Sequence, residues 1–320
     1  MRLNLHLLLC MVAVLPLTMC QSNSELLPAG AMKASDPEAD GMLNEAKRLV
    51  AQNELSDARS ILRDLVRNHD LAPCAPEARL LLGEVYQKQG LPRDAFDEYE
   101  KVVTRYQSSP LYTTALQRQL ALAMSAAQGE LKVGVLGMWR SELDSSAVEK
   151  WLSSVITNAP YNDMAATAML VLAQYHVRKE NYDNAIAAYT RLVERYPESR
   201  YAPEAQLMVA QLWAGSVTRG SQNMANLSRA QEAYEEFSLR FPKHKDAGKA
   251  LTEVSNLRRL MVQQELDVGR YYLERSREYV SAAFCFENVI RQKDINPQAA
   301  KEAQTLLQKA KQLLNTRKAS

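Results

Sequence analysis

Glycine and proline are scarce in this chain, with 11 and 12 among 320 residues, and phenylalanine is scarcer still at five. That excludes collagen-like and turn-dominated designs, and the abundance of Ala, Leu, Gln, Glu, Lys and Arg favours helix over sheet. Cysteine is almost missing from the body. Cys10 and Cys20 lie in an apolar N-terminal run, and Cys74 and Cys285 are too far apart in sequence to suggest a disulfide framework; buried inert thiols are the ordinary reading. No charge excess exists either, 39 basic against 37 acidic residues giving +2, so nothing calls for nucleic acid. The one apolar stretch, Leu7 to Leu17 after Arg2, is too short to span a bilayer but suits a signal peptide. The four histidines are dispersed, and no glycine-rich phosphate loop, serine elbow or recurring carboxylate pair occurs, so neither metal, cofactor nor enzyme activity is expected.

What the chain does have is a recurring pattern. "EARLLLGEVYQKQGLPRDAFDEYEKVVTRYQSSP" and "TAMLVLAQYHVRKENYDNAIAAYTRLVERYPESR" both read as helix, turn, helix. Their second helices align at an offset of 90: Ala95 with Ala185, Phe96 with Ile186, Tyr99 with Tyr189, Val102 with Leu192, Val103 with Val193, Tyr106 with Tyr196. This stripe marks one buried helical face, so the aromatics in it are expected to be core. The same frame is expected at Ala58, Leu62, Leu65, His69; at Ala147, Trp151, Ser154, Asn158; at Ala230, Tyr234, Phe237, Phe241; and at Ala282, Phe286, Val289, Lys293.

Spacings between the small residues exceed the 34-residue period of tetratricopeptide repeats, so the excess is expected in longer helices or loops. Ala46, Gly83 and Ala173 each precede a small partner by twelve positions, Ala58, Ala95 and Ala185, and small side chains at both places let two helices of a hairpin approach closely. Pro76 and Pro203 suit first helical turns, and Pro197 ends a helix. Residues 1–20 then read as a signal peptide, 21–39 as a flexible tether, and 40–315 as an all-α, tetratricopeptide-like solenoid of five to six helical hairpins. Two glycine-bearing stretches, 126–139 and 214–228, read as loop-like insertions.

Particular residues carry a resemblance. "RYPESRYAPEAQ" (195–206), "YEEFSLRFPKHKDAGKA" (234–250) and above all "QQELDVGRYYLERSREYVSAAFCFENVIRQ" (263–292) resemble the BamD family of outer-membrane β-barrel assembly lipoproteins. In the last stretch the matching residues are Glu265, Tyr271, Tyr272, Arg275, Tyr279, Ala282 and Ala283. The resemblance implies a non-enzymatic scaffold on the periplasmic face of the outer membrane, with β-barrel assembly subunits and nascent outer-membrane proteins as partners. It further implies that the C-terminal repeats dock another subunit, with Tyr271, Tyr272 and Arg275 as candidate partner-binding residues. Arg270, Arg275 and Arg277 also read as an ordinary solvated face.

Other functions compete: a periplasmic tetratricopeptide adaptor in cell division or cell-wall synthesis, or a cell-wall enzyme using repeats as a targeting arm. The second leaves no stretch for a catalytic domain. The N-terminus bears on the choice. In "VLPLTMCQSN" Met19 stands where lipoprotein signals place a small residue, yet a lipid on Cys20 followed by a flexible tether is the layout of a scaffold held at a membrane. Lipidation at Cys20 is therefore expected.

Overall fold

The computed structural model describes residues 31–135, 139–218 and 224–319. The expected signal peptide, residues 21–30 of the tether and Cys20 lie outside the described residues. Among the described residues thirteen helices follow one another as hairpins: α1 (Pro37–Ala51) with α2 (Leu55–Asn68), and α3 (Ala75–Lys88) with α4 (Pro92–Arg105). Next come α5 (Tyr112–Gln128) and α6 (Ser145–Asn158), with strands β1 (Lys132–Val135) and β2 (Trp139–Glu142) between them. The series continues with α7 (Asp163–Arg178) and α8 (Tyr182–Arg195), then α9 (Ala202–Thr218) and α10 (Met224–Arg240). It ends with α11 (Ala247–Tyr271), α12 (Tyr279–Arg291) and a last helix α13 (Pro297–Ala319). This is the all-helical, tetratricopeptide-like repeat array expected from the stripes.

Two kinds of turn punctuate the array. Within a hairpin, Asn53, Gly90, Glu180 and Arg277 have positive φ (63°, 72°, 58° and 55°) and each lies five positions before the small residue of the next helix: Ala58, Ala95, Ala185, Ala282. A left-handed residue lets the amide that follows bond back into the last helical turn, as Glu54 N–H does to Leu49 O and Asn181 N–H to His176 O. Between hairpins, the carbonyl of the residue that caps the second helix accepts from the N–H three positions on. The pairs are His69 with Ala72, Tyr106 with Ser109, Ala159 with Asn162, Tyr196 with Ser199 and Phe241 with His244.

That ladder corrects one frame. In the other hairpins the capping residue lies eleven positions after the small residue; counting back from Ala159 gives Val148, Leu152 and Val155, which are 1%, 0% and 0% exposed. Ser154 and Asn158, in the expected frame, are only half-buried. Ala147 mimics the small position, and Trp151 is buried for another reason: it stacks on Phe96, centroids 4.4 Å apart and planes 3° apart. At α12 the stripe ends with Val289, because Lys293 lies beyond the helix and is exposed.

The two stretches read as loops are largely regular structure. Gly129 ends α5 with φ 78°, as the left-handed residues end other first helices, but an antiparallel ribbon follows, pairing Lys132 with Glu142. The insertion thus sits inside the third hairpin, and α6 restarts at the Asp144 cap, whose carboxylate accepts from Ala147 N–H at 2.9 Å. In 214–228 only 219–223 lie outside the described residues; α9 runs to Thr218 and α10 starts at Met224, since a single Gly215 among helix formers costs too little to end a helix.

By compactness the chain divides into two units, residues up to Gln89 with Asp97–Ala115, and Gly90–Phe96 with Leu116–Ser320. The first is built on Ala39, Leu43, Ala46, Leu62, Leu65, Ala78, Leu82 and Val85. It also buries a charged pair: Arg79 Nη1 donates to Glu98 Oε2 at 2.8 Å, Nη2 to Val66 O at 3.0 Å and Nε to Tyr106 OH at 3.3 Å. Its N-terminal edge is fastened at Asp36, which caps α1 through Ala39 N–H and takes Lys33 Nζ at 2.7 Å and His69 Nδ1 at 3.1 Å. The first helix, α1, begins at Pro37, close to the Asp40 expected as the start of the folded part. In the second unit one core gathers Val262, Leu266, Leu273, Ala282, Phe286, Val289, Ala299, Ala303 and Ala310.

Candidate functional site

The last hairpin carries the residues singled out by sequence. Gly269 brings α11 against α12 so closely that a β-carbon there would lie 2.6 Å from Phe286 Cε1. This is the place that Gly83 fills against Tyr99, but here the glycine precedes its small partner Ala282 by thirteen positions instead of twelve. The backbone absorbs the extra residue as a π-helical turn, Tyr272–Ser276, before the left-handed Arg277. Glu278 N–H closes the turn onto Tyr272 O at 2.9 Å.

The π turn sets how Tyr271, Tyr272 and Arg275 are displayed. Tyr271 is 58% exposed, while Tyr272 packs against the apolar core, the two rings meeting edge-on with centroids 6.0 Å apart. Arg275 faces solvent. Arg270, which shares the stretch, is engaged: it bonds Glu302 and, at 2.7 Å, Asp267 Oδ1, and the Glu302 bond above all raises its guanidinium pKa. Glu265 turns inward to accept from Asn288 Nδ2 at 2.7 Å and Gln292 Nε2 at 3.1 Å, pinning α11 to α12. The stretch thus divides into Glu265, which pins α11 to α12, Arg270, which ties α11 to α13, and Tyr271 and Arg275, which are exposed.

Two further residues join the exposed set, Val280 (65%) and Phe284 (63%), four apart on α12. The sequence carried the signal: Phe284 is two positions from both Ala282 and Phe286, which puts it on the opposite side of the helix from the buried stripe. The hairpin therefore displays Tyr271, Val280, Phe284 and Arg275, aromatic and apolar surface with a cation, the composition of a protein-binding surface.

Elsewhere the structure separates core from surface as the frames imply. Tyr99, Tyr106, Tyr189, Tyr234 and Phe237 are buried, whereas Tyr196 and Phe241, the last members of their stripes, are half-buried. Of the tyrosines before first helices, Tyr161 is fully exposed, while Tyr112 and Tyr201 are half-buried, the latter beneath Arg200 at 4.7 Å. Burial, with help from Asp40, pushes the Cys74 thiol up to about 11, and burial likewise raises Cys285, so neither is a ready nucleophile. Among the described residues no group of three His, Cys, Asp or Glu could hold a metal, and no helix is long and apolar enough to cross a membrane.

The tetratricopeptide-repeat family matches this chain over residues 43–110 and 147–214, which are α1 to α4 and α6 to α9. With the hairpin array, that decides the class. The chain carries tetratricopeptide repeats over those residues. Proteins of this repeat type are generally non-catalytic interaction scaffolds. Among curated proteins, this tetratricopeptide-repeat chain is similar to "Outer membrane protein assembly factor BamD" from Xylella fastidiosa strains 9a5c and Temecula1. Each is 25% identical over 144 residues, 40% of this chain and 47% of the relative. The match spans about half the length of those relatives. Among solved structures it is similar to YrrB, a repeat protein with an unusual peptide-binding site (16% identity, 67% of this chain, 92% of that one, TM-score 0.33). Another is a repeat protein from Parabacteroides merdae ATCC 43184 (13% identity, 86% and 99% covered, TM-score 0.32).

Proposed function

We propose that this tetratricopeptide scaffold is a lipid-anchored component of outer-membrane β-barrel protein assembly, held at the periplasmic face of the outer membrane through Cys20. It binds other assembly subunits through its last hairpin and unfolded barrel substrates through its repeat surface, and it catalyses nothing. The observation that carries the reading is the similarity to the BamD assembly factors. The exposed set Tyr271, Arg275, Val280 and Phe284 supports it, because such a surface on a repeat hairpin is costly to leave bare without a partner.

The test is affinity purification of the full-length chain from detergent-solubilised membranes of its own cell. A large β-barrel protein is expected to co-purify, and Arg275→Glu together with Tyr271→Ala is expected to remove it while the helical circular dichroism stays unchanged. Recovery of division or cell-wall proteins in its place would favour the adaptor reading. A Cys20→Ala chain that stays in the membrane fraction would defeat the lipid anchor.

A further inference from the structure

A second surface lies on α10 and the N-terminal part of α11, at the other end of that helix from Tyr271. The buried stripe of α10 is Ala230, Ala233, Tyr234 and Phe237. Positions two, five, six and nine after Ala230 face outward, and they hold Glu232, Glu235, Glu236 and Leu239. With Ser238 and with Leu251 of α11 these residues line an open groove of about 630 Å³. Its leucines are bare: Leu239 is 84% and Leu251 56% exposed. Among the described residues none that lines it is basic: three carboxylates and Ser238 border its apolar floor.

Past α10 the charge is mixed. Glu232 and Glu236 also border a second hollow of about 240 Å³, lined with Glu194 of α8 and Trp213 of α9 and with Arg229 and Arg240. Arg258 pairs with Glu235 at 2.5 Å and Arg240 with Glu236 at 3.5 Å, each on an exposed or half-exposed side chain. A carboxylate offers about four acceptor positions, so one arginine leaves room for a second cation.

We propose that the α10–α11 groove binds a peptide segment of amphipathic, basic character, placing apolar side chains on Leu239 and Leu251 and lysine or arginine on the Glu232, Glu235 and Glu236 edge. Charge complementarity fixes the occupant's sign, and the two bare leucines fix its apolar side. The groove shares no residue with the exposed set Tyr271, Arg275, Val280 and Phe284, so this proposal stands whether or not the assembly reading does.

The test measures fluorescence anisotropy of a labelled helical leucine–lysine peptide with the full chain, beside a leucine–glutamate peptide of the same pattern. The leucine–lysine peptide is expected to bind, Leu239→Ser or Leu251→Ser to weaken it about tenfold, and Glu232→Lys to weaken it further in a salt-dependent way. Both leucines are exposed, so circular dichroism and melting temperature should not move. Equal affinity for both peptides, or binding untouched by these variants, overturns the proposal. So does self-association of the chain, seen by analytical ultracentrifugation, that Leu239→Ser abolishes, because the groove would then be covered by a second copy.

Discussion

Gly83 of α3 lies against the ring of Tyr99 of α4 so closely that a β-carbon at position 83 would sit 2.4 Å from Tyr99 Cε1 and 2.8 Å from Cζ. Tyr99 is wholly buried and its hydroxyl donates to Gln87 Oε1 at 2.6 Å, so the ring has no easy direction in which to yield. Overpacking of this kind costs about 1–3 kcal/mol, against about 1 kcal/mol regained when alanine replaces glycine inside a helix. Gly83→Ala should therefore lower stability by up to about 2 kcal/mol in urea unfolding, and Tyr99→Leu in the same chain should return part of it. A gain in stability from Gly83→Ala alone would show that the ring moves freely.

The Arg79–Glu98 pair makes a larger prediction. Both side chains are about nine-tenths buried, and Arg79 has three acceptors while Glu98 also takes Lys101 Nζ at 2.7 Å. Removing the carboxylate strands a buried guanidinium, which costs about 3–5 kcal/mol, whereas exchanging both residues for apolar ones of similar size costs far less. Glu98→Ala is expected to be much more harmful than the double change Arg79→Met with Glu98→Leu. Equal losses in thermal unfolding would mean the pair is solvated.

Tyr106 and Tyr196 close the same turn in different repeats, donating to Asp70 O at 2.8 Å and to Pro160 O at 2.9 Å, each 36 positions back. Tyr106 also accepts from Arg79 and is buried, while Tyr196 is half-buried. A net hydrogen bond is worth about 1 kcal/mol, and a buried acceptor left unpaired costs more. Tyr106→Phe should thus cost about 1–3 kcal/mol and Tyr196→Phe about 1 kcal/mol or less, read from denaturant midpoints.

What the sequence made legible follows from chemistry repeated in register. The stripes at Ala58, Ala95, Ala185 and Ala230 were readable because each is a run of mostly apolar side chains at helical spacing, and the structure buries them except for the last members His69, Tyr196 and Phe241, which are half-buried. The third hairpin misled because Ala147 and Trp151 offered a plausible small-then-aromatic pair one position early; only Trp151 stacking on Phe96 explains its burial, and no local pattern announces a partner 55 positions away. The thirteen-residue step from Gly269 to Ala282 hid the last small pair from a search at twelve, since a π turn is a tertiary solution without a composition of its own. Leu239 and Leu251 were invisible because a leucine in a helical segment reads as core until its neighbours are known.

Acid titrates the N-terminal fastening. Bonds from Lys33, then His69 and the Ala39 N–H, hold the Asp36 carboxyl well below its ordinary 3.8. A depressed native value contributes stability that is full above the unfolded value and lost as pH falls through the native one. Asp36→Asn should thus destabilise the chain at neutral pH, and the gap to wild type should close only in strong acid, below the usual carboxylate range. A gap that stays constant down through strong acid would show that the Asp36 charge contributes nothing to the fastening.

Glu180 occupies a left-handed turn with φ 58° and an exposed side chain, at the place where the second hairpin of the described array uses Gly90 at 72°. A β-carbon in that region costs about 1–2 kcal/mol, and glycine relieves it while losing about 0.5–1 kcal/mol to its greater freedom in the unfolded chain. Glu180→Gly is therefore expected to stabilise by about 0.5–1 kcal/mol. Asn53→Gly, at the matching turn of the first hairpin, should change little, because asparagine tolerates this conformation. Glu180→Ala separates backbone from side chain: it keeps the β-carbon and should leave stability unmoved, so an equal gain from alanine would place the effect in the carboxylate and not in the turn.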